Sequence, residues 1–340
     1  MANFLFSPYL DRSLTPEKFY TRINILQIKC SNRTKVSEFY LVGFSLLKET
    51  GFYLFVLIFI IYILSITANV FVIVIIRNDP RLYKPMYFLI GALSFLEIWY
   101  PSVTVPRLLW ALLTDEDSIS SAGCFTQFFF HFSFGATENF LLTVMALDRF
   151  LAICNPLHYS LIMSPNTCIL MLSGSWLCGF MVLAFPCLEI TKLSFCGCNI
   201  INHYYCDFAP LIKLSCSETS HVENMVFVSS CFVILGCFLV IIMSYIWIIK
   251  TTLHFSISFG RSRTFSTCAS HLLVVVIFYA TTIFMFVRPT ARDFLYLNKI
   301  ISIVPSIITP LLNPIIYTLR NKEVKEAVCK TAKKWKDYHA

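Results

Sequence analysis

Residues 51–76 read GFYLFVLIFIIYILSITANVFVIVII, twenty-six positions without a charged side chain. At 1.5 Å per residue such a helix reaches about 39 Å, beyond the ~30 Å hydrocarbon core of a bilayer. Six further apolar stretches follow, at about 86–106, 124–147, 167–190, 222–249, 268–287 and 300–319. Of the 340 residues only 14% are charged while 57% are hydrophobic, and mean hydropathy is +0.71. A soluble domain carries about 25% charged residues, so a soluble enzyme is excluded, as is a disordered chain. The expected fold is an all-α membrane protein, a bundle of seven transmembrane helices. Residues 321–335 alternate charged and apolar positions at helical spacing, which predicts a short helix lying along the membrane interface.

An odd number of spans puts the termini on opposite sides. With the N-terminus outside, fourteen Lys and Arg residues face inward; once the first thirty residues are set aside as remote from any span, nine face outward. The expected organisation is an extracellular tail over 1–50, a seven-span domain over 51–320 and a cytoplasmic tail over 321–340, in a multi-pass protein of the plasma membrane. Asn32-Arg33-Thr34 fits this orientation, because such a sequon is glycosylated only on the lumenal side. The net charge of +8 points to membrane lipids, not to nucleic acid. Seven of the basic residues, from Arg320 to Lys336, crowd the tail beside anionic headgroups, and no basic stripe interleaved with aromatics occurs elsewhere. Seven spans do not divide into two inverted halves, as in many transporters. Residues 1–30 have neither a long apolar core nor a small-residue cleavage site, and read as a flexible tail.

Ionisable groups inside a membrane are costly and point to function. Glu97 in the second span and Glu138 in the third stand out, and Asn69 and Asn313 can complete a polar cluster with them. Such a cluster is either a cation or proton site between helices or a hydrogen-bonded network without an ion. A sodium ion near Glu97 and Glu138 is the cofactor candidate, and no other cofactor is expected. Neither carboxylate has a metal-binding His or a nucleophile at useful spacing, so catalysis is not expected. Asp148-Arg149 closes the inner end of the third span, where an arginine can also serve as an interfacial anchor. Pro310 and Pro314 remove helix hydrogen bonds from the seventh span and allow kinks.

Fourteen cysteines divide into two groups. Those in apolar runs act as small hydrophobes. Cys196, Cys198, Cys206 and Cys216 share a polar outer loop, with Cys124 on the same side of the membrane. They form a disulfide framework, or Cys196, Cys198 and Cys206 form a metal-ligand set with His203, and an oxidising compartment favours disulfides. Five outer cysteines leave one odd, and Cys30 in the tail makes six.

From Asn32 to Val328 an ordered series of motifs resembles the vertebrate olfactory receptors of the rhodopsin-like G-protein-coupled class. Asn32-Arg33-Thr34 with Glu38-Phe39 and Gly43-Phe44 is similar to that family's N-terminal signature, and Pro85-Met86-Tyr87-Phe88 to its first inner loop. Met145-Ala146-Leu147-Asp148-Arg149-Phe150-Leu151-Ala152-Ile153-Cys154, continued by Pro156-Leu157-His158-Tyr159, resembles the third-span signature. Ser244-Tyr245, Phe265-Ser266-Thr267-Cys268-Ala269-Ser270-His271-Leu272 and Pro310-Leu311-Leu312-Asn313-Pro314-Ile315-Ile316-Tyr317 match the fifth, sixth and seventh. Departures are Leu147 and Phe150 where the family usually has Tyr, Ala68 and Ala280 where it has Gly, and Glu97 where Asp is common.

The resemblance implies an odorant-activated receptor, not an enzyme, that signals through a stimulatory G protein to raise cAMP. It implies disulfides Cys124–Cys206 and Cys196–Cys216, with Cys198 left over. Arg149 is implied to hold the inactive state and then meet the G protein, in a set with Asp148, Tyr245, Asn313, Pro314 and Tyr317. A small volatile odorant is expected to bind among His131, Phe132, Gly135, Ala136, Asn139, Ser229, Ser230, Val233, Tyr279, Thr282, Ile283 and Phe286. That lining is apolar with a few hydroxyl and amide groups. An amine receptor usually places a carboxylate in the outer third of the third span, and His131, Phe132 and Gly135 offer none. A transporter or channel needs a continuous polar path, which two isolated glutamates do not make.

Overall fold

The computed structural model describes residues 36–44, 51–114, 116–196, 199–254, 258–286, 295–320 and 322–339; at 254, 258–271, 295–296, 317–320, 322 and 332–339 the description is of the backbone alone. Asn32, Cys30 and Cys198 therefore lie outside the described residues. The spans are helix α1 (Gly51–Asn78), the broken pair α2 (Pro85–Ser102) and α3 (Val105–Thr114), α4 (Ser121–Cys154), α6 (Pro165–Thr191), α8 (Ser220–His254), α9 (Ser258–Phe286) and a seventh in pieces. A short helix α5 (Pro156–Ile162) separates the third span from the fourth at the end of the bundle expected to be inner, and α7 (Phe208–Ile212) lies in the long loop at the opposite, expected outer, end. The seventh span comprises α10 (Leu295–Ile301), a π-helical turn at Val304–Ile308, and α11 (Thr309–Arg320); α12 (Lys322–His339) follows it.

Five of these segments are long and apolar enough to cross a membrane by composition alone, and Leu272–Phe286 of the sixth span is a shorter apolar helix. The third span is different. It is the central rod of the bundle, packed against the second, fourth, fifth and sixth spans, and it buries Gln127, His131, Thr137, Glu138, Asn139 and Asp148. Because protein surrounds this helix, its polar side chains meet other side chains in place of lipid.

Prolines set the irregular turns. The second span, expected to end near Pro106, continues to Thr114 after a break between Pro101 and Pro106. In the seventh span the irregularity lies one turn outside Pro310, where the Thr309 N–H reaches back to Val304 O in a π turn. Pro314 has no N–H to give the carbonyl of Pro310, four residues earlier. The Asn69 amide of the first span supplies that donor, Nδ2 to Pro310 O at 2.8 Å. A polar residue in an otherwise apolar helix thus satisfies a backbone group that a proline left open.

Within residues 1–50 the described segment pairs with two of the loops. Glu38–Leu41 forms strand β1, antiparallel to β2 (Ser118–Ser120) and parallel to β3 (Ile200–Ile201), giving the order β2-β1-β3. Phe39 and Leu41 point inward and are buried, while Glu38 and Tyr40 lie on the other face. Phe39 packs edge-on against Phe125 and Phe195, at 6.2 and 5.5 Å between ring centroids. Gly43 then turns the chain with a positive φ of 27°; a Cβ there meets the Tyr204 Cα at 3.1 Å, so both conformation and space call for glycine. On the inner face Lys84 Nζ (2.7 Å) and the Tyr87 hydroxyl (3.0 Å) hold Glu323, docking α12 on the first inner loop, with Val324 and Ala327 buried beneath it.

Candidate functional site

A cavity of about 90 Å³ opens in the outer half of the bundle, with walls from the second to the seventh spans and from the long outer loop. Ten of the twelve residues named from sequence line it: His131, Phe132, Gly135, Ala136, Asn139, Ser229, Ser230, Val233, Thr282 and Phe286. Tyr279 and Ile283 are not among its walls. Tyr279 instead turns toward the fifth span, its ring 5.1 Å from that of Phe238, and Ile283 packs against the main hydrophobic core. Sequence reasoning missed Tyr100, Tyr205 and Phe208, which also face the cavity. The last two come from the loop, whose path no helical periodicity reveals.

The loop is held down by covalent and polar ties. Cys124 at the outer end of the third span is bonded to Cys206, and Cys196 to Cys216. Neither Cys196 nor Cys206 is therefore a free thiolate for a metal. The Cys206 N–H donates to Gln127 Oε1 at 3.0 Å, and Gln127 Nε2 donates to Val103 O at 3.0 Å, in the break of the second span. Tyr205 consequently sits over His131, ring centroids 4.3 Å apart, and Tyr100 lies 4.9 Å away. His203 is enclosed in the loop, its ring stacked on Tyr204 at 4.9 Å; burial, and then the charge of Lys299, hold its pKa well below the ordinary histidine range. Burial lifts the Asp207 carboxyl to about 6.

Beneath the cavity lie Glu97 and Glu138, each 1% exposed. The Asn313 amide donates to Glu97 Oε1. Glu97 Oε2, both oxygens of Glu138, Asn69 Oδ1 and Ser133 Oγ are buried with no hydrogen-bond partner among the described residues. At the inner end of the same helix, Arg149 is bound to Asp148 Oδ2, and the Tyr159 hydroxyl donates to Asp148 Oδ1 at 2.8 Å. Tyr245 is buried in the fifth span and Pro314 lies inside α11. The side chain of Tyr317 is outside the described residues.

A bundle of membrane-crossing helices, with a mostly apolar cavity under a tethered loop and a charged pair at the inner end of its central helix, has the anatomy of a G-protein-coupled receptor. The chain belongs to the olfactory receptor family, whose profile matches residues 58–334. It is 46% identical over 305 residues to human olfactory receptor 6F1, covering 90% of this chain and 98% of that one. Human olfactory receptor 6P1 is 47% identical over 296 residues, covering 87% and 93%. Rat olfactory receptor 226 is 44% identical over 301 residues, covering 87% and 92%. The protein is thus a multi-pass, seven-helix membrane receptor of the odorant-sensing, G-protein-coupled kind, and not an enzyme.

Proposed function

We propose that this receptor works at the plasma membrane with its N-terminus outside, glycosylated at Asn32, and couples to a stimulatory G protein that raises cAMP. Residues 1–50 and 321–340 are then its outer and inner tails around the domain over 51–320. One observation carries the reading: a single continuous helix, Ser121–Cys154, lines the cavity with His131 and Asn139 and carries Asp148-Arg149 in its last two turns. A ligand in the cavity and a G protein at the inner face both bear on this rod, so each biases the same two-state element. The ligand shifts the population only by its differential affinity for the two states. Asp148, Arg149, Tyr245, Asn313, Pro314 and Tyr317 form the coupling set, and the ten wall residues named above form the odorant site.

The proposal includes a sodium ion between Glu97 and Glu138. The donor types fit: Glu97 Oε2, both Glu138 oxygens and Asn69 Oδ1 are buried oxygens without hydrogen-bond partners among the described residues, and hard cations take several oxygen ligands. Bound there, the ion supplies charge compensation to two carboxylates in a low-dielectric core. The test is cAMP accumulation in transfected cells across an odorant panel. A dose-dependent rise is expected, absent from untransfected cells; surface-expressed receptor that raises no cAMP with any odorant yet activates another G-protein class refutes the stimulatory assignment.

A further inference from the structure

Lys299 is the only charged side chain between Leu295 and Leu319 of the seventh span, and it is buried. An ionisable group in a span is costly and points to a role. Its ammonium donates to Gly43 O and to Asn202 Oδ1, both at 3.0 Å, and lies 5.3 Å from the centroid of the Phe44 ring. Bonds of this kind, donated by a charged group, are about twice as strong as neutral ones. Three stretches remote in sequence therefore meet on one cation: the turn after β1, the long loop and the seventh span. The function proposed above does not use it.

The same part of the seventh span takes a second hold. Ser302, three residues on and so on the same face, has its Oγ 3.1 Å from the Tyr204 hydroxyl and 3.4 Å from His203 Nε2. Phe44 stacks on the Tyr204 ring at 5.6 Å, and the Gly43 N–H donates to His203 O at 3.2 Å. Residues 202–204 are thus gripped by the seventh span and by the segment that follows β1. Two residues later, Cys206 is tied to the third span by its disulfide to Cys124 and by its N–H to Gln127. The loop is here a short bridge between two spans, and His203 to Cys206 are each at most 2% exposed. Tyr205, between the two anchors, and Phe208, just beyond them, belong to the cavity walls. The disulfide fixes one end of this bridge. Lys299 fixes the other.

We propose that Lys299 is a positioning residue of the odorant site: from the seventh span it holds residues 202–204 in place and so keeps the loop closed over the cavity. This rests on the reading of the cavity as the odorant site and adds the residue that holds its cover. Without the ammonium, Gly43 O and Asn202 Oδ1 lose a charged donor, and the bridge is left with its disulfide end as the stronger tie.

The probe is a methanethiosulfonate reagent carrying a trimethylammonium group, which travels through water and not through lipid. Ala136, a cavity wall on the third span, is changed by Ala136→Cys in the full-length receptor in lipid nanodiscs. Modification of that thiol is followed by peptide mass spectrometry. The reagent enters a covered cavity only when the loop opens, so its rate reports the open population. Lys299→Met, which keeps the side-chain length and removes the donors, should raise the rate about tenfold. Lys299→Arg, which restores charge and donors, should bring it most of the way back. Cys168 and Cys237, buried in the main core, report general loosening and should keep their own rates. Asn202→Ala removes one bond at an exposed loop residue and should give a smaller rise, about threefold.

An unchanged rate at the Ala136→Cys thiol overturns the proposal, and so does an equal rise at all three thiols or a Lys299→Arg receptor as fast as Lys299→Met. If Lys299→Met does not accumulate, Asn202→Ala decides alone. In cells, odorants that activate the wild type should need several-fold higher concentrations with Lys299→Met, and an unmoved dose–response curve also overturns the proposal. Odorants that still activate a receptor whose Ala136→Cys thiol is fully modified do not bind in the cavity. That result overturns the odorant reading on which the proposal rests, whereas unchanged rates overturn the role of Lys299 and leave that reading standing.

Discussion

Two buried acids on the third span, Glu138 and Asp148, lie ten residues apart and differ in what holds them. Asp148 is fully buried, yet Tyr159 takes one of its oxygens and Arg149 the other. Glu138 is as deeply buried, and both its oxygens are without partners among the described residues. A satisfied buried pair is a latch, since opening it leaves charges exposed to a low-dielectric interior. An unsatisfied one leaves room for something mobile, a cation or a proton, as proposed above. On that reading one helix carries a latch toward one end and an open seat at its middle, with the cavity above both.

The largest effect should come from breaking the latch. Arg149→Ala is expected to reach the cell surface and to give no ligand-dependent cAMP; normal signalling from a well-expressed Arg149→Ala receptor removes this residue from the coupling set. Next is the packing beside the seat. A Cβ at Gly179 of the fourth span lies 2.8 Å from the backbone nitrogen of Thr137, the residue before Glu138, so neither helix has room to yield. Overpacking costs about 1–3 kcal/mol and here more, because backbone is struck. Gly179→Ala should fail to accumulate at the surface at 37 °C, and an ordinary surface level by flow cytometry contradicts the close approach.

A smaller, few-fold effect is expected from Tyr159→Phe. Removing a hydrogen bond to a charged group costs about 1.5–3 kcal/mol, so the latch loosens without losing its ion pair. Basal cAMP per surface receptor should rise, and unchanged basal activity means that Tyr159 does not restrain Arg149. The finest distinction concerns the seat. Replacing sodium by N-methylglucamine should shift the wild-type dose–response curve two- to several-fold, and Glu138→Gln should no longer respond to the exchange. A wild-type receptor indifferent to sodium, with Glu138→Gln signalling normally, identifies the cluster as a hydrogen-bonded network without an ion.

Much of this was legible along the chain. Seven apolar runs and the motif series around Asp148-Arg149 lead to the bundle and its family, and the cavity positions on the third, fifth and sixth spans came with the family resemblance. Strand β1 was not legible: Glu38-Phe39-Tyr40-Leu41 is four residues long and lies in a stretch that reads as a tail. Its partners Ser118–Ser120 and Ile200–Ile201 are too short to announce themselves. Tyr205 and Phe208 escaped because a loop has no period to extrapolate.

Local physics therefore determined the elements: hydrocarbon thickness sets span length, prolines set the breaks, and charge near the spans sets the expected orientation. Only the tertiary structure decided which polar groups find partners. Asn69 serves a carbonyl that Pro314 left open, 241 residues away. Asn139 gives its amide to its own helix, and its oxygen has no hydrogen-bond partner among the described residues. Asp148 is satisfied where Glu138 is not. Hydrogen bonding depends on distances of a few tenths of an ångström between helices remote in sequence, and no pattern within a single helix contains them.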